Sequence, residues 1–307
     1  MNKLFKIVTI LLILVNIIYC NEKYYFKISW SGIKCLNKQE NSCNQYSIEK
    51  INNKTQQQQL LLNKISINKL IVNEKSPLSK IKHFFINKES NNIIVYGSIV
   101  KNINGNDLNV IRVYKQLPLG NKIEITDKYY TLNNSNFPCL NRTNNGGKPC
   151  YQLISTLVNY NNNYNNYLIS KIIYPFQENV GKYFDNNWLN YKSVIQDHSK
   201  LIALGTINNN NEMVVSNAYI NIPDPIEKCI PPKSIKCNSQ SIITNSRDFN
   251  RCLTNSTCTP LAFNGNTTVV IPIYPTCPKG YYLTFFTGNN GGKLEFNCDA
   301  NFLTDTY

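Results

Sequence analysis

The chain has 307 residues, 11 cysteines and a formal net charge of +14, which is too long for one typical hydrophobic core and suits several modules. Its lysines and arginines are scattered, with no run of adjacent basic residues, and a nucleic-acid footprint needs clustered cations. Glycine-rich phosphate loops are absent, and His83 and His198 are the only histidines, which argues against nucleotide cradles and restricts histidine-based chemistry.

Residues 1–20 read as a signal peptide: Lys3 and Lys6, then the apolar run from Ile7 to Tyr19, ending at Cys20. A membrane span needs about 20 apolar residues, and this run is shorter. Cleavage after Cys20 leaves ten cysteines, an even number suited to a disulfide framework in an oxidising compartment. No second long apolar stretch follows. The expectation is a secreted protein with no membrane span and no lipid anchor.

Landmarks then recur about 105 positions apart. Lys23-Tyr24-Tyr25 returns as Lys128-Tyr129-Tyr130, and Tyr114 with Pro118 returns as Tyr219 with Pro223. The stretch from Ile93 to Ile99 matches Leu201 to Ile207, with Gly97 and Gly205 in register. A period this long indicates a duplicated domain, since solenoid repeats run about 20 to 50 residues. The expected organisation is signal peptide 1–20, β repeats over 21–121 and 122–226, and a cysteine-rich module over 227–307. The first repeat carries most of the basic excess, with 15 Lys+Arg against 6 Asp+Glu, so acidic polysaccharide is a candidate partner there.

In chain order, Tyr24 to Trp30 alternates with period two, as a half-buried strand does. Further strands are expected at 46–51, 65–72, 93–100 and 108–117, and in the second repeat at 151–158, 167–174, 201–207 and 214–222. Short helices are expected at the equivalent places 77–85 and 186–195. The Asn-rich tracts 56–59, 159–166 and 208–211 read as loops. Gly97 and Gly205 fall inside strands, where glycine is tolerated for a bulge or a close backbone approach. The fold class is all-β: two tandem small sandwich or barrel repeats, then a disulfide-rich, mainly β module.

Cys35 with Cys43 and Cys139 with Cys150 are expected to pair within their repeats. Cys229, Cys237, Cys252, Cys258, Cys277 and Cys298 in the tail leave fifteen connectivities open. Their spacings exceed those of zinc ligands, so no metal or other cofactor is expected. Sequons for N-glycosylation stand at Asn53, Asn133, Asn141, Asn255 and Asn266.

No catalytic residue is assigned. His198 lies in Asp197-His198-Ser199, but neighbouring residues in a strand or turn point apart and cannot form a relay. Tyr129, Tyr130, Tyr160, Tyr164, Tyr167, Tyr281 and Tyr282 are candidate rings for stacking on sugars, set against the alternative that they fill sheet faces. The reading is a binding protein of the cell surface or extracellular matrix, its partner an extracellular protein or glycan. A protease inhibitor presenting the Cys139–Cys150 loop is the alternative, and a secreted hydrolase the third.

Tyr-Tyr, a strand, a cysteine pair, then a Tyr-led strand ending near Asn52 or Asn159 resembles a small domain of unknown function found in secreted proteins of dictyostelid amoebae and some bacteria. In that family a Cys-x-x-x-x-Cys pair precedes an aromatic strand. This chain widens the spacing at Cys35/Cys43 and Cys139/Cys150. The resemblance covers about two thirds of the chain and implies secretion and duplication, without functional residues to carry over.

Overall fold

In a computed structural model of the chain, the residues described are 22–30, 46–53, 60–62, 64–67, 92–103, 105–135, 153–160, 166–194, 201–221, 233–247, 253–260, 274–287 and 294–304. In the first half β1 (Tyr24–Trp30) pairs antiparallel with β2 (Tyr46–Lys50) and, on its other side, with β5 (Ile93–Asn102). β5 continues to β6 (Gly105–Gln116). Closure comes from a bent segment, whose first part, β3 (Leu60–Leu62), pairs antiparallel with β2. One residue later β4 (Lys64–Ile67) pairs in parallel with β6. Counting β3 and β4 as one bent strand gives a five-stranded barrel with the strand arrangement of the OB (oligonucleotide/oligosaccharide-binding) fold.

The second half repeats the order. β7 (Lys128–Asn134) pairs with β8 (Leu153–Leu157) and with β11 (Leu201–Ile207), which pairs with β12 (Glu212–Asn221). β9 (Asn166–Ile169) lies against β8, and β10 (Lys171–Ile173) lies parallel to β12. Helices α1 (Phe176–Val180) and α2 (Asn186–Val194) follow the bent strand. The Asp185 carboxylate starts α2 by accepting the Trp188 N–H at 2.9 Å, a side-chain cap for an otherwise unpaired amide. Phe176, Trp188 and Leu189 pack into this barrel's core. Helix α2 answers the expectation at 186–195; its counterpart at 77–85 lies outside the described residues.

Strand alternation separates the interior of each barrel from its outer surface. Ile93 and Val95 of β5 enter the first barrel's core, while Ile94 and Tyr96 face outward, and Leu201 and Ala203 against Ile202 and Leu204 repeat the division. Both matched strands carry a register shift, at Tyr96/Gly97 and at Leu204/Gly205. A Cβ on Gly97 would lie 2.1 Å from the Asn109 carbonyl oxygen, and one on Gly205 2.0 Å from that of Val214. Bulge and close approach together explain why both positions are glycine. One equivalence shifts: Tyr25 and Tyr129 share the outward face, whereas Phe26 and Tyr130 belong to barrel cores. The doubled tyrosines are therefore offset by 104 residues, and it is Tyr25, not Tyr24, that matches Tyr129.

The tail holds two hairpins, β13 (Ser241–Arg247) with β14 (Leu253–Pro260), and β15 (Tyr281–Thr287) with β16 (Leu294–Ala300), followed by α3 (Asn301–Thr304). Disulfides Cys237–Cys258 and Cys277–Cys298 each span 21 positions. The hairpins repeat at an offset of 40: Ile243 faces Cys258 as Leu283 faces Cys298. Ser241 N–H bonds to the Asn238 carbonyl as Tyr281 N–H bonds to that of Pro278. The second hairpin is built into the second barrel, with Tyr281 and Cys298 in its core. The Tyr281 hydroxyl donates to the Pro118 carbonyl at 2.7 Å, and Cys298 N–H to that of Tyr183 at 2.8 Å.

Candidate binding walls on the paired barrels

The two barrels join through β6 and β12, which pair antiparallel at Tyr114–Asn221, Lys115–Ile220 and Gln116–Tyr219. With the 105-residue offset of Tyr114 and Tyr219, Lys115 and Ile220 are equivalent positions. A local two-fold axis therefore passes through that pair, and the other two pairs exchange across it.

The same symmetry governs two asparagines. Asn52 accepts from the Tyr129 N–H at 3.0 Å and donates to the carbonyls of Tyr129 at 2.7 Å and Val158 at 3.0 Å. Asn159 accepts from the Tyr25 N–H at 2.8 Å and donates to the carbonyls of Tyr25 at 2.7 Å and Ile51 at 2.9 Å. Both asparagines have positive φ, 58° and 64°, a conformation asparagine tolerates better than most side chains. β1 and β8 are six steps apart in the sheet order, about 29 Å if the sheet were flat. The bonds between Tyr25 and Asn159 therefore require the sheet to curl around the axis.

Inside that curl lie Ile51, Ile94 and Tyr114 from one half and Val158, Ile202, Leu204 and Tyr219 from the other. Tyr25 is hydrogen-bonded to Tyr114, which also bonds Arg112, and Tyr129 is hydrogen-bonded to Tyr219. Burial raises all four phenols above the ordinary tyrosine range, and for Tyr25 and Tyr219 the neighbouring phenol adds to the effect. These neutral pairs serve cohesion, because a phenolate here would lose its hydration.

Away from the junction each barrel presents an outer wall built from its first three strands. On the first wall Ser29, Ser47 and Leu61 form one row across β1, β2 and β3, with Ser47 buried between its neighbours, and Lys27 faces Glu49 in the next. On the second, Asn133, Ile154 and Leu168 form the equivalent row, and Thr131, Thr156 and Asn166 the next. Leu61 is 41 % exposed and Leu168 37 % exposed. Single exposed apolar residues are ordinary; the same residue at the same register position of both barrels is the more informative observation. The rows differ in charge: a lysine and a carboxylate on the first wall, and hydroxyls and amides on the second. There the Thr156 hydroxyl donates to Asn166 Oδ1 at 2.8 Å.

Of the residues marked by sequence, Asn133 projects from the second wall and Asn53 is exposed beside Asn52. Asn255 stands on β14; Asn141 and Asn266 lie outside the described residues. So do Cys35, Cys43, Cys139, Cys150, Cys229 and Cys252, together with His83, Asp197, His198, Ser199 and Tyr164. Most of the candidate stacking tyrosines serve packing: Tyr130 and Tyr281 are core residues, Tyr160 packs against the same core and Tyr129 lies in the junction. Tyr167 is 39 % exposed, its ring edge-on to Tyr130 at 6.1 Å between centroids. Leu61 and Leu168 were not marked. Their signal was available, since each precedes a buried apolar residue, Leu62 or Ile169, in the strand after the Tyr-led one. Among the described residues no three His, Cys, Asp or Glu side chains group as a metal site, and no helix is long and apolar enough to cross a membrane.

Comparison with known proteins places the chain with an uncharacterized protein of Dictyostelium discoideum, to which it is 32 % identical over 289 residues, 92 % of this chain and 89 % of that one. The chain belongs to the same family as that dictyostelid protein. No family model matches the chain, and no solved structure matches it.

Proposed function

We propose that the protein is a secreted, disulfide-bonded and N-glycosylated binding protein of the cell surface or extracellular matrix, and that its outer walls bind an extended glycan without chemical turnover. The observation that carries this reading is the recurrence of Leu61 and Leu168 in equivalent rows of two OB-type barrels, with Lys27 and Glu49 in the row beside the first and Thr131, Thr156 and Asn166 in the row beside the second. A pleated wall with one apolar ridge and charged, hydroxyl or amide neighbours suits a sugar chain, whose faces alternate C–H patches with hydroxyls. OB-type barrels bind oligosaccharides on the face formed by their second and third strands, and this wall includes that face; the analogy of fold supports the location and not the ligand.

The test is binding of the full secreted chain, before and after enzymatic removal of N-linked sugar from sites such as Asn133 on the second wall, to immobilised neutral and acidic polysaccharides. The protein is expected to bind an extended polysaccharide and to lose binding when Leu61→Asp and Leu168→Asp are combined, with its unfolding transition unchanged. Binding that survives the double substitution would move the site elsewhere. Failure to bind any polysaccharide would remove the glycan reading. Preference for acidic polymers, lost on Lys27→Ala, would assign the first wall to the charged partner.

A further inference from the structure

The tail contains one disulfide-bonded hairpin twice, and the two copies differ in what surrounds the sulfurs. In each, a cysteine on the segment leading into the first strand is bonded to one on the second strand, Cys237 to Cys258 and Cys277 to Cys298. The second copy is protected. Cys298 is buried, and Cys277 packs against the second barrel's core. In the first copy Cys258 is exposed and Cys237 half-buried, on a segment from Lys233 to Gln240 whose residues are mostly exposed. A thiolate arriving from solvent meets the first bond before the second.

Charge separates the copies in the same direction. From Lys233 to Arg247 and along β14 the sequence has two lysines, one arginine and no carboxylate. Lys233 and Lys236 are exposed, and Cys258 Sγ lies 3.8 Å from the Lys236 carbonyl oxygen. The equivalent strand β16 carries Glu295 and, next to Cys298, the buried Asp299, which accepts the Thr284 hydroxyl at 2.8 Å. Neighbouring cations stabilise a thiolate, whereas burial and neighbouring carboxylates disfavour it. Exchange is faster when the departing thiol is the more acidic and the attacked sulfur the more accessible. Cys237, directly preceded by Lys236, fits the first role, and exposed Cys258 the second.

We propose that the Cys237–Cys258 disulfide is a modification site at which a small anionic thiol becomes joined to Cys258. The incoming thiolate attacks Cys258 Sγ, the bond between the two sulfurs breaks, and its electron pair leaves on Cys237, which takes a proton from solvent. The products are a mixed disulfide on Cys258 and a free Cys237 thiol, so the disulfide itself is the oxidant. The structural consequence is local. Asn238 keeps its turn by accepting the N–H groups of Gln240 and Ser241, and the β13–β14 ladder from Ser241–Pro260 to Arg247–Leu253 consists of backbone pairing. The hairpin therefore persists while Cys237 is released from β14.

The experiment uses the full secreted chain, freed enzymatically of N-linked sugar so that none at the Asn255 sequon covers Cys258. Glutathione is the probe; samples are quenched with acid at intervals, alkylated and mapped. The earliest product is expected to carry glutathione on Cys258 and an alkylated Cys237, with Cys277–Cys298 closed and the barrels' tyrosine signal unchanged. Lys233→Glu combined with Lys236→Glu is expected to slow this reaction about threefold or more at low salt, with a smaller effect on uncharged mercaptoethanol. Glutathione found first on Cys237 would overturn the direction of attack, and release of both thiols without an adduct would overturn the mixed disulfide. Opening of Cys277–Cys298 at the same rate would overturn the choice of site. An unchanged rate in the lysine double variant would overturn the preference for an anionic thiol.

Discussion

Lys115 and Ile220 stand directly opposite one another in the pairing of β6 with β12, and they are the same position of the duplicated unit. An antiparallel pair of equivalent strands centred on equivalent residues is the geometry of an isologous interface. Here it occurs within one chain. A segment of three paired residues is short for holding two barrels in place, which makes the surrounding contacts decisive.

Those contacts centre on Asn52 and Asn159. Each makes three hydrogen bonds to backbone groups of the other barrel. A net contribution of about 1 kcal/mol per bond, with an added cost for unsatisfied backbone groups, puts Asn52→Ala or Asn159→Ala at a loss of about 3 kcal/mol. Positive φ adds a further backbone penalty for alanine. Denaturant unfolding of both single variants and the double variant would measure this. Losses below about 0.5 kcal/mol would show that the apolar junction alone holds the barrels together.

Gly97 and Gly205 give a matched pair of tests. In both, the added methyl would overlap a backbone carbonyl oxygen of the adjacent strand at about 2 Å, and backbone cannot step aside as a side chain can. Gly97→Ala and Gly205→Ala should each destabilise by about 2 to 3 kcal/mol or prevent secretion. Gly181→Ala is the control. Its φ is 101° and nothing lies within 4 Å of the added methyl, so it should lose about 1 kcal/mol from backbone strain alone. Equal effects in all three would discount the close approach.

How much of this was legible beforehand follows from which forces act locally. The strands at Tyr24–Trp30 and Leu201–Ile207 were readable to the residue, because alternation and β-branching are local properties. The roles of Gly97 and Gly205 were readable from their matched places in a strand pattern. The one-residue slip between Tyr24 and Tyr25 was not, because two adjacent tyrosines fit either face and only the packing against Tyr114 and Tyr219 decides. Nor could periodicity show that Asn52 and Asn159, at the edges of polar tracts, would bond across the axis: that depends on the curl of the whole sheet. The tail is the opposite case. Cys237 to Cys258 and Cys277 to Cys298 have identical spacing, a sign of the hairpin duplication that left the connectivity open only while the six cysteines were counted together. The exposed leucines remained unmarked because hydrophobic residues in a strand are first assigned to the core.

The two described disulfides close loops of equal length, so the chain-entropy estimate is the same for both, about 3.4 kcal/mol. Any measured difference therefore reports surroundings. Cys298 is 1 % exposed within the second barrel's core, whereas Cys258 is exposed. Under mild reductant the Cys237–Cys258 bond is expected to open first, without loss of the barrel's tyrosine signal. Opening of Cys277–Cys298 should coincide with unfolding of the second barrel. Trapping free thiols with time, followed by peptide mapping, would show the order. Simultaneous reduction would refute the difference in protection.

The buried phenols set an alkaline limit to stability. An unfolded tyrosine ionises near pH 10, while Tyr130 is pushed up to about 12 by burial first and by Tyr167 and Asp127 after it. Tyr25, Tyr114, Tyr129 and Tyr219 are raised in the same direction by burial. Above pH 10 the unfolded chain has lost protons that the folded chain retains, so stability falls as pH rises. Below pH 10 both states are protonated, and this contribution is fully present and constant. The protein is therefore expected to lose stability from pH 10 to 12 and to show tyrosinate absorbance that appears together with unfolding. Tyr219→Phe removes a hydroxyl that pairs with Tyr129 and should cost about 1 kcal/mol at neutral pH, while making the alkaline decline shallower. Ionisation of all tyrosines at pH 10 with the fold intact would show that the junction admits water and that its phenols are not sealed.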